Sequence, residues 1–316
     1  MKYSLGIDSS NYTTSAAICR IDDMTIISNQ KRVLAVESGK CGLRQSDAVF
    51  QHIKALPEII DSAFESVNPA DKQVCTAVSD RPSEQEGSYM PCFLSGVASA
   101  SAVSASKYIP CYRFSHQAGH IAAALYSAGR MDLAEQRFLA FHVSGGTTQA
   151  LLVEPDIERI FSIKCVGGSN DLKAGQAVDR IGGMLGLDFP AGPMLEKLAL
   201  KSQNIYNPRP IMKEDTFSLS GLENMASKMK AMGESDEDIA RFTLDFIGAS
   251  IISCVEKLLA EYGDMMVVFA GGVMSNSIIR KRIEAKFKCA FAEPSFSSDN
   301  AAGIALLGAI SYLRGV

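Results

Sequence analysis

The chain has 316 residues, 47% hydrophobic and 21% charged, which excludes a disordered, collagenous or small disulfide-stapled protein and favours two lobes over a single core. Its 31 Lys and Arg against 35 Asp and Glu leave a net charge of −4. No global basic field is available to hold nucleic acid, so any RNA contact must be local or shared with a partner.

In chain order, the first element is Leu5 to Ile18, LGIDSSNYTTSAAI, an apolar strand, a small polar turn and a second apolar strand. The same frame recurs without a gap at Leu139 to Leu152, LAFHVSGGTTQALL, with Leu5/Leu139, Ser10/Ser144, Thr13/Thr147, Thr14/Thr148 and Ala16/Ala150 identical. Each segment predicts a β-hairpin with a tip of Ser, Thr, Asn and Gly; two unrelated hairpins sharing turn residues are the alternative. Between them, Ser46 and Asp47 can cap a helix to about Glu65 with Val49, Ile53, Leu56 and Ile60 on one face. Strands follow at Val74 to Val78 and Ile109 to Phe114, then a helix from His116 to Ala128. After the second hairpin, Gly182-Gly183 and Ala191-Gly192-Pro193 mark tight turns. Ser235 opens a long helical pattern to Tyr262, expected to break or kink. Met265 to Ala270 is a buried strand ending in Gly271-Gly272; a helix follows from Ser275 and a last one from Asp299 to about Leu313. Helices between short apolar strands predict an α/β fold. The repeat predicts two similar lobes with their polar tips facing one cleft. The first lobe is placed at residues 1–128, with the helix of 299–316 packing back on it, and the second at residues 129–298.

Small polar tips let backbone N–H groups and hydroxyls approach phosphate oxygens closely. Ser9, Ser10, Asn11, Thr13 and Thr14 form one such tip, and Ser144, Gly145, Gly146, Thr147 and Thr148 the other. Ser10 and Ser144, the serines common to both, are taken as catalytic candidates. Gly271 and Gly272 feed a helix N-terminus, which favours an anion or a polar group, with a tight strand-to-helix turn as the other reading; Asn276 either caps that helix or meets a ligand. No G-x-x-x-x-G-K-[ST] and no G-x-G-x-x-G string occurs, so neither a P-loop nor a dinucleotide fold is expected. Only four histidines exist: His52, His116, His120 and His142. His116 and His120 fall on one helical face, where they can share a metal or simply be two half-exposed helix residues. Gln117 stands where a zinc peptidase needs its glutamate base, so a peptidase is disfavoured. Asp299 is the best third ligand, with an ordinary N-cap as its other reading. The eight cysteines form no C-x-x-C pair and read as buried thiols in a reducing cytosol. No signal peptide is recognisable, and no apolar run reaches the ~20 residues that span a bilayer, so a cytoplasmic protein without membrane contact is expected.

Together these segments resemble the universal tRNA threonylcarbamoyladenosine transferase family, once described as O-sialoglycoprotein endopeptidases (glycoproteases), and mark a divergent bacterial paralogue. The resemblance rests on Gly6 to Ser10, His116 to His120, Val143 to Gln149, Gly175 to Arg180 (similar to the family's G-E-A-F-D-K), Leu185 to Pro193, Phe217 to Leu222, Ala270 to Asn276 and Ser298 to Asn300. These matches run in family order over nearly the whole chain. The resemblance implies the two-lobed actin/hexokinase/heat-shock ATPase fold with duplicated hairpin-containing sheets. It implies one divalent metal, iron or zinc, on His116, His120 and Asp299. It further implies that His142, Val143, Ser144, Gly145 and Gly146 touch the phosphates of an adenine nucleotide or acyl-adenylate. Asp179 and Gly192 would hold its ribose and adenosine part, with Gly271, Gly272 and Asn276 completing the substrate contacts. The implied activity is an acyltransferase in tRNA processing, moving threonylcarbamoyl from threonylcarbamoyl-AMP to adenosine 37 of the tRNA anticodon loop, with fold-related and ATPase-type helper proteins as partners.

The chain departs from the family pattern at several positions. Tyr12 stands where the first loop is usually acidic, Thr147 where histidine is usual, and Gln176 and Leu172 where acidic residues are usual. These departures bear on the acceptor. A carbamoyl-type transferase with a non-tRNA acceptor, and a non-catalytic partner subunit of the same fold, are the competing functions; fold alone does not choose between them. The basic stretch Arg280, Lys281, Arg282, Lys286 and Lys288 reads as a solvated helix face.

Overall fold

The computed structural model describes residues 1–10, 12–36, 43–297 and 300–315. The first elements are β1 (Lys2–Ser10), β2 (Thr13–Arg20), β3 (Ile26–Val33), α1 (Gln45–Phe64), β4 (Lys72–Arg81), α2 (Phe93–Lys107), β5 (Cys111–Ser115) and α3 (His116–Ser127). Then come β6 (Phe138–Val143), β7 (Thr148–Asp156), β8 (Ile160–Ser169), α4 (Ala174–Met184), α5 (Gly192–Ala199), β9 (Ile211–Lys213) and β10 (Thr216–Ser218). The chain continues through α6 (Gly221–Ala231), α7 (Asp236–Tyr262), β11 (Val267–Ala270), α8 (Ser277–Glu284), β12 (Cys289–Phe291) and α9 (Ala302–Arg314). Two compact units form: Met1–Gln136 with Glu154–Ile163 and Ser295–Val316, and Arg137–Val153 with Lys164–Pro294. No helix among the described residues is long and apolar enough to cross a membrane.

Both repeated segments are antiparallel hairpins in the same register. Leu5 faces Ile18 and Ser10 faces Thr13 in β1–β2; Leu139 faces Leu152 and Val143 faces Thr148 in β6–β7. The first sheet runs β3-β2-β1-β4-β5. The second runs β12-β11-β6-β7-β8-β10-β9, so its first five strands repeat the same order from the other end. In each sheet a hairpin is followed by parallel strands: β4 beside β1 and β5 beside β4, and likewise β11 beside β6 and β12 beside β11. Helices between those strands supply the crossovers that parallel pairing needs.

The first sheet is covered on both faces, which explains why β1 is buried along nearly its whole length. Tyr3, Leu5 and Ile7 pack with Leu56 and Ile59 of α1 and Ala100 of α2. The alternate residues Ser4, Gly6 and Asp8 point the other way. There α9 comes so close that a Cβ on Gly6 would lie 2.4 Å from the Ala305 backbone nitrogen. The opposite side of α9 meets α3 as tightly, since a Cβ on Gly303 would lie 1.8 Å from the Gly119 carbonyl oxygen. The small residues of α9 therefore let one helix wedge between a sheet and a second helix.

Three helices differ from expectation. The sheet-facing stripe of α1 is Ala48, His52, Ala55, Leu56, Ile59 and Ala63, while Ile53 is 58% exposed. The expected residues Val49, Ile53, Leu56 and Ile60 share one face, of which Leu56 is buried and Ile60 packs against the core, but the buried stripe is rotated from it toward Ala48, His52, Ala55, Ile59 and Ala63. No side chain caps α1, and Ser46 and Asp47 lie inside it. The long helix α7 runs unbroken for 27 residues. It is buried on most sides, which removes the one-sided period that signals an amphipathic helix. Its Thr243 and Ser250 hydroxyls donate to the Ile239 and Phe246 carbonyls of the preceding turn, so neither forces a break. The last helix starts at Ala302, and the Asn300 side chain accepts from the Ala302 N–H; Asp299 lies outside the described residues.

The α3–α9 contact yields a stability prediction. Gly303→Ala lowers unfolding free energy by about 3 kcal/mol despite alanine's better helix propensity. Gly145→Ala, whose added Cβ meets open space, changes it by less than about 0.5 kcal/mol. Urea unfolding of both variants checks this, and equal losses would contradict the packing.

Candidate functional site

In the first unit the site begins at the β5–α3 junction. Ser115 caps α3, its hydroxyl accepting from the Ala118 N–H at 3.1 Å, and this fixes the first turn where His116 sits. His120 follows one turn later, and the two rings lie edge to face with centroids 4.4 Å apart. The shared helical face expected from their spacing is thus present. Beneath them, Asp8 at the end of β1 is fully buried. Its Oδ1 is hydrogen-bonded to His116 Nδ1 at 3.0 Å and accepts from the Ser79 hydroxyl of β4. Among the described residues no three metal-binding side chains cluster, and the expected third ligand, Asp299, lies outside them.

Asp8 had escaped the sequence reading as a functional residue. The available signal was a lone carboxylate closing the apolar run Leu5-Gly6-Ile7, a strand in which every neighbour is buried. Such a group needs partners fixed by the fold.

The first hairpin tip differs from expectation. Ser9, Ser10, Thr13 and Thr14 are buried and do not offer hydroxyls to solvent. The Ser9 hydroxyl donates to the Cys92 carbonyl and accepts from the Gly96 N–H. Thr14 Oγ1 is hydrogen-bonded to His52 Nδ1 at 2.8 Å. Burial pushes the His52 ring below its ordinary pKa, against the pull of Asp8 and the Ser10 carbonyl. Ser10 Oγ is buried without a hydrogen-bond partner among the described residues. Asn11 lies outside the described residues.

In the second unit the tip is open. Gly145 and Gly146 are exposed. Ser144 closes the turn, its N–H donating to the Thr147 carbonyl at 2.7 Å and its Oγ accepting from the Thr147 N–H at 3.1 Å. Among the described residues no titratable base is hydrogen-bonded to Ser10 Oγ or Ser144 Oγ, so these residues do not set up either as an activated nucleophile. The N-terminus of α4 packs on this turn: Gly175 N–H donates to the Ser144 carbonyl and Ala174 N–H to Thr148 Oγ1. A Cβ on Gly175 would lie 2.6 Å from the Gly145 nitrogen, so only glycine permits that approach. His142 on β6 pairs with Ala270 on β11, which brings the Val143–Gly146 and Gly271–Gly272 segments to adjacent strand ends. Gly271 has φ +100°, and a Cβ there would strike the Val143 carbonyl at 2.3 Å.

Two second-unit residues do structural work beyond their expected roles. Asp179 Oδ1 accepts from the Ala191 N–H at 2.9 Å and so ties α4 to the turn before Gly192. Asn276 is 7% exposed and caps α8, accepting from the Ile278 and Ile279 N–H groups. A single 3-10 turn, Gly272–Ser275, separates the double glycine from α8. Glu196 Oε1 accepts from the Ser277 N–H at 2.7 Å. The N-terminus of α8 is therefore occupied by polar groups of the chain itself, the Asn276 side chain and the Glu196 carboxylate.

Asp171 is a second carboxylate that the sequence reading missed. Burial alone would raise its pKa, but hydrogen bonds from Ser218 Oγ, the Leu219 N–H, Ser220 and the Leu172 N–H override it and hold the carboxyl far below its ordinary value. It joins the end of β8 to the start of α6. Leu172 is 7% exposed and belongs to the second unit's core, which accounts for an apolar residue there. Burial likewise pushes the thiols of Cys19 and Cys254 up to about 12 and of Cys75 and Cys92 up to about 11, so these are inert core groups. The basic helical stretch is largely neutralised, with Arg280, Arg282, Lys286 and Lys288 paired to Glu284, Asp245, Glu256 and Asp264.

The family model for tRNA N6-adenosine threonylcarbamoyltransferase matches residues 25–306. The chain is 31% identical to the tRNA N6-adenosine threonylcarbamoyltransferase of Streptococcus mutans, over 99% of this chain and 94% of that one. It is 29% identical to that of Bacillus licheniformis, over 99% and 93%. Among solved structures, full-length HypF in its phosphate- and nucleotide-bound form aligns with TM-score 0.59 at 15% identity, over 98% of this chain and 55% of that one. The component A of Acidaminococcus fermentans (R)-2-hydroxyglutaryl-CoA dehydratase aligns with TM-score 0.57 at 15% identity, over 99% and 100%. A ROK family glucokinase from Streptomyces griseus aligns with TM-score 0.52 at 12% identity, over 98% and 99%. These neighbours show the fold to be of the actin/hexokinase type.

The Asp171 network predicts a pH dependence. A carboxyl whose folded pKa is depressed adds stability that is complete above its unfolded pKa, about 3.9, and is lost as pH falls below it. The stability gap between the parent and Asp171→Asn is therefore constant from neutral pH down to about 4 and narrows at lower pH. Urea midpoints across that range check it; a gap that widens in acid would contradict the assignment.

Proposed function

The chain belongs to the tRNA N6-adenosine threonylcarbamoyltransferase family, and from that premise we propose that it moves a threonylcarbamoyl group from threonylcarbamoyl-AMP to the exocyclic amine of adenosine 37 in tRNA. The observation that carries the proposal is the retention of the family's histidine pair with a built support beneath it. His116 and His120 stand one turn apart with rings 4.4 Å between centroids, and buried Asp8 engages His116 Nδ1. A carboxylate on one ring nitrogen leaves Nε2 as the ligating atom of His116, the usual arrangement of a metal-bound histidine. Imidazole donors suit iron or zinc.

In this proposal His116, His120 and Asp299 hold one divalent metal, which supplies Lewis-acid stabilisation of charge on the carbamoyl or phosphate oxygens. The chain's own groups do the rest. Backbone N–H groups of the Ser144–Gly146 turn hydrogen-bond the phosphate of the adenylate, and the glycines let it approach. Ser144 acts by holding the shape of that turn. The Gly271–Gly272 segment and His142 line the same phosphate contact. Asp179, with one carboxyl oxygen engaged by Ala191, offers the other to the ribose hydroxyls beside Gly192. The acceptor adenine must leave the anticodon-loop stack to be reached. With a net charge of −4 and its main basic helix paired internally, the chain is proposed to bind tRNA with helper proteins rather than alone.

Purified parent protein made without chelator is expected to carry roughly one iron or zinc per chain. The His116→Ala/His120→Ala double variant is expected to carry none and to lose more than about 100-fold in tRNA modification scored by nucleoside mass spectrometry. Parent protein that holds metal and releases AMP from the adenylate, yet leaves tRNA unmodified in the presence of its helpers, would rule out the tRNA acceptor while keeping the transferase chemistry.

A further inference from the structure

The end of β4 lies beside the start of the histidine helix. Arg81 pairs in register with Ser115, the cap of α3, and His116 follows directly. After Arg81 the chain makes a polar loop, Pro82 to Ser88, whose ends are tied together by serine hydroxyls. The Ser88 hydroxyl oxygen accepts from the Ser83 N–H and from the Ser83 hydroxyl, both at 3.1 Å, and the Gln85 carbonyl accepts from the Ser88 N–H at 3.0 Å. This loop reaches α3 through a backbone bond, the Pro82 carbonyl accepting from the Gln117 N–H at 3.1 Å.

The first four N–H groups of a helix have no partner within it. In α3 two of them are settled by other groups, Gln117 by Pro82 and Ala118 by the Ser115 hydroxyl. His116 stands between these fixed points, so the backbone that carries its ring follows the position of Pro82. The ring has Asp8 on Nδ1 and Phe93 beside it, with 6.1 Å between centroids. A shift of the first turn therefore moves the imidazole against both.

A carboxylate holds Pro82 in place. The Glu84 side chain is only 9% exposed, and Arg81 Nη2 donates to both of its oxygens, at 3.1 and 3.0 Å. Arg81 Nη1 donates to Asp80 at 2.6 Å. Arg159, in the part of the β7–β8 hairpin that belongs to the first unit, stands 3.8 Å from Glu84. The Arg81 guanidinium thus joins residues on either side of Pro82 and pins the loop to the end of β4. The pair is half withdrawn from water, so removing the carboxylate leaves a poorly solvated cation as well as a loose loop. Resting on the metal reading above, we infer that Glu84 is a positioning residue for His116. With Arg81 and Arg159 it fixes the Pro82–Ser88 loop, the Pro82 carbonyl fixes the first turn of α3, and that turn sets the aim of the imidazole. Asp8 fixes the ring, and Glu84 fixes the backbone that bears it.

Two readouts on the full-length protein test this: zinc affinity in competition with a chelating indicator, and amide exchange at Gln117 by NMR on metal-free protein. Glu84→Ala is expected to lower zinc affinity about tenfold, the smaller end of outer-shell effects, and to speed Gln117 exchange about tenfold while Ile121, inside α3, keeps its rate. Glu84→Gln still accepts from Arg81 and is expected to fall between Glu84→Ala and the parent in both. Ile59→Val lowers urea stability from a cluster that holds no α3 residue, and it is expected to leave both readouts unchanged. Parental zinc affinity in Glu84→Ala, an unaltered Gln117 rate, or an equal loss of affinity in Ile59→Val overturns the positioning role and leaves the metal reading intact. A parent that binds zinc no better than the His116→Ala/His120→Ala double variant overturns the metal reading and the inference with it.

Discussion

A fully buried carboxyl at the end of the first strand sets the geometry of the first unit. Asp8 sits on the face of the sheet that looks toward α3 and α9, and it must find hydrogen-bond partners there because no water reaches it. It finds Ser79 on the neighbouring strand β4 and His116 on α3. Both engage Oδ1, which ties β1, β4 and α3, far apart in sequence, to one atom. The lock works because α9 leaves no slack: Gly6 admits the Ala305 backbone on one side, and Gly303 admits Gly119 on the other. A methyl group at either place would push α3 outward and take the histidines with it. The glycines and alanines of α9 therefore serve the site as directly as the residues that would touch substrate.

The duplicated hairpin shows how one frame can be adapted to two tasks. In both copies Leu, Ser and Thr recur at equivalent places and the strands pair in equivalent register. In the first copy the Ser9 and Thr14 hydroxyls are consumed internally, by Cys92, Gly96 and His52, and the turn carries a tyrosine. In the second, a serine shapes a turn of two bare glycines, and the N-terminus of α4 is pressed against it by Gly175. Hydroxyls that look alike in sequence thus differ in role according to which neighbour reaches them first.

The sequence disclosed the repeat, both hairpins, the α/β alternation and the histidine spacing, because each depends on local pattern. What it concealed depends on tertiary neighbours. The sheet-facing stripe of α1 uses alanines and His52, which carry little apolar signal. The unbroken course of α7 is hidden by burial on most sides. That the polar group at the α8 N-terminus is Glu196, 81 residues before Ser277, depends on the fold. Asp8 and Asp171 are single carboxyls whose importance comes from partners brought in by the fold: Ser79 and His116 for the first, Ser218 to Ser220 for the second. Spacing and family resemblance both pointed to His116, His120 and Asp299 as candidate ligands, whereas the support beneath His116 depends on tertiary contacts.

The central claim is that Asp8 orients His116 for a metal. The direct measurement is the affinity of the full-length chain for zinc in competition with a chelating indicator, comparing the parent with Asp8→Asn. Asparagine keeps the size and can still hydrogen-bond but removes the charge from the imidazole. The account predicts a 10- to 100-fold loss of affinity, roughly the effect of removing an outer-shell carboxylate, with an unchanged far-UV circular dichroism spectrum. Equal affinity in the two proteins, with both folded, would contradict it.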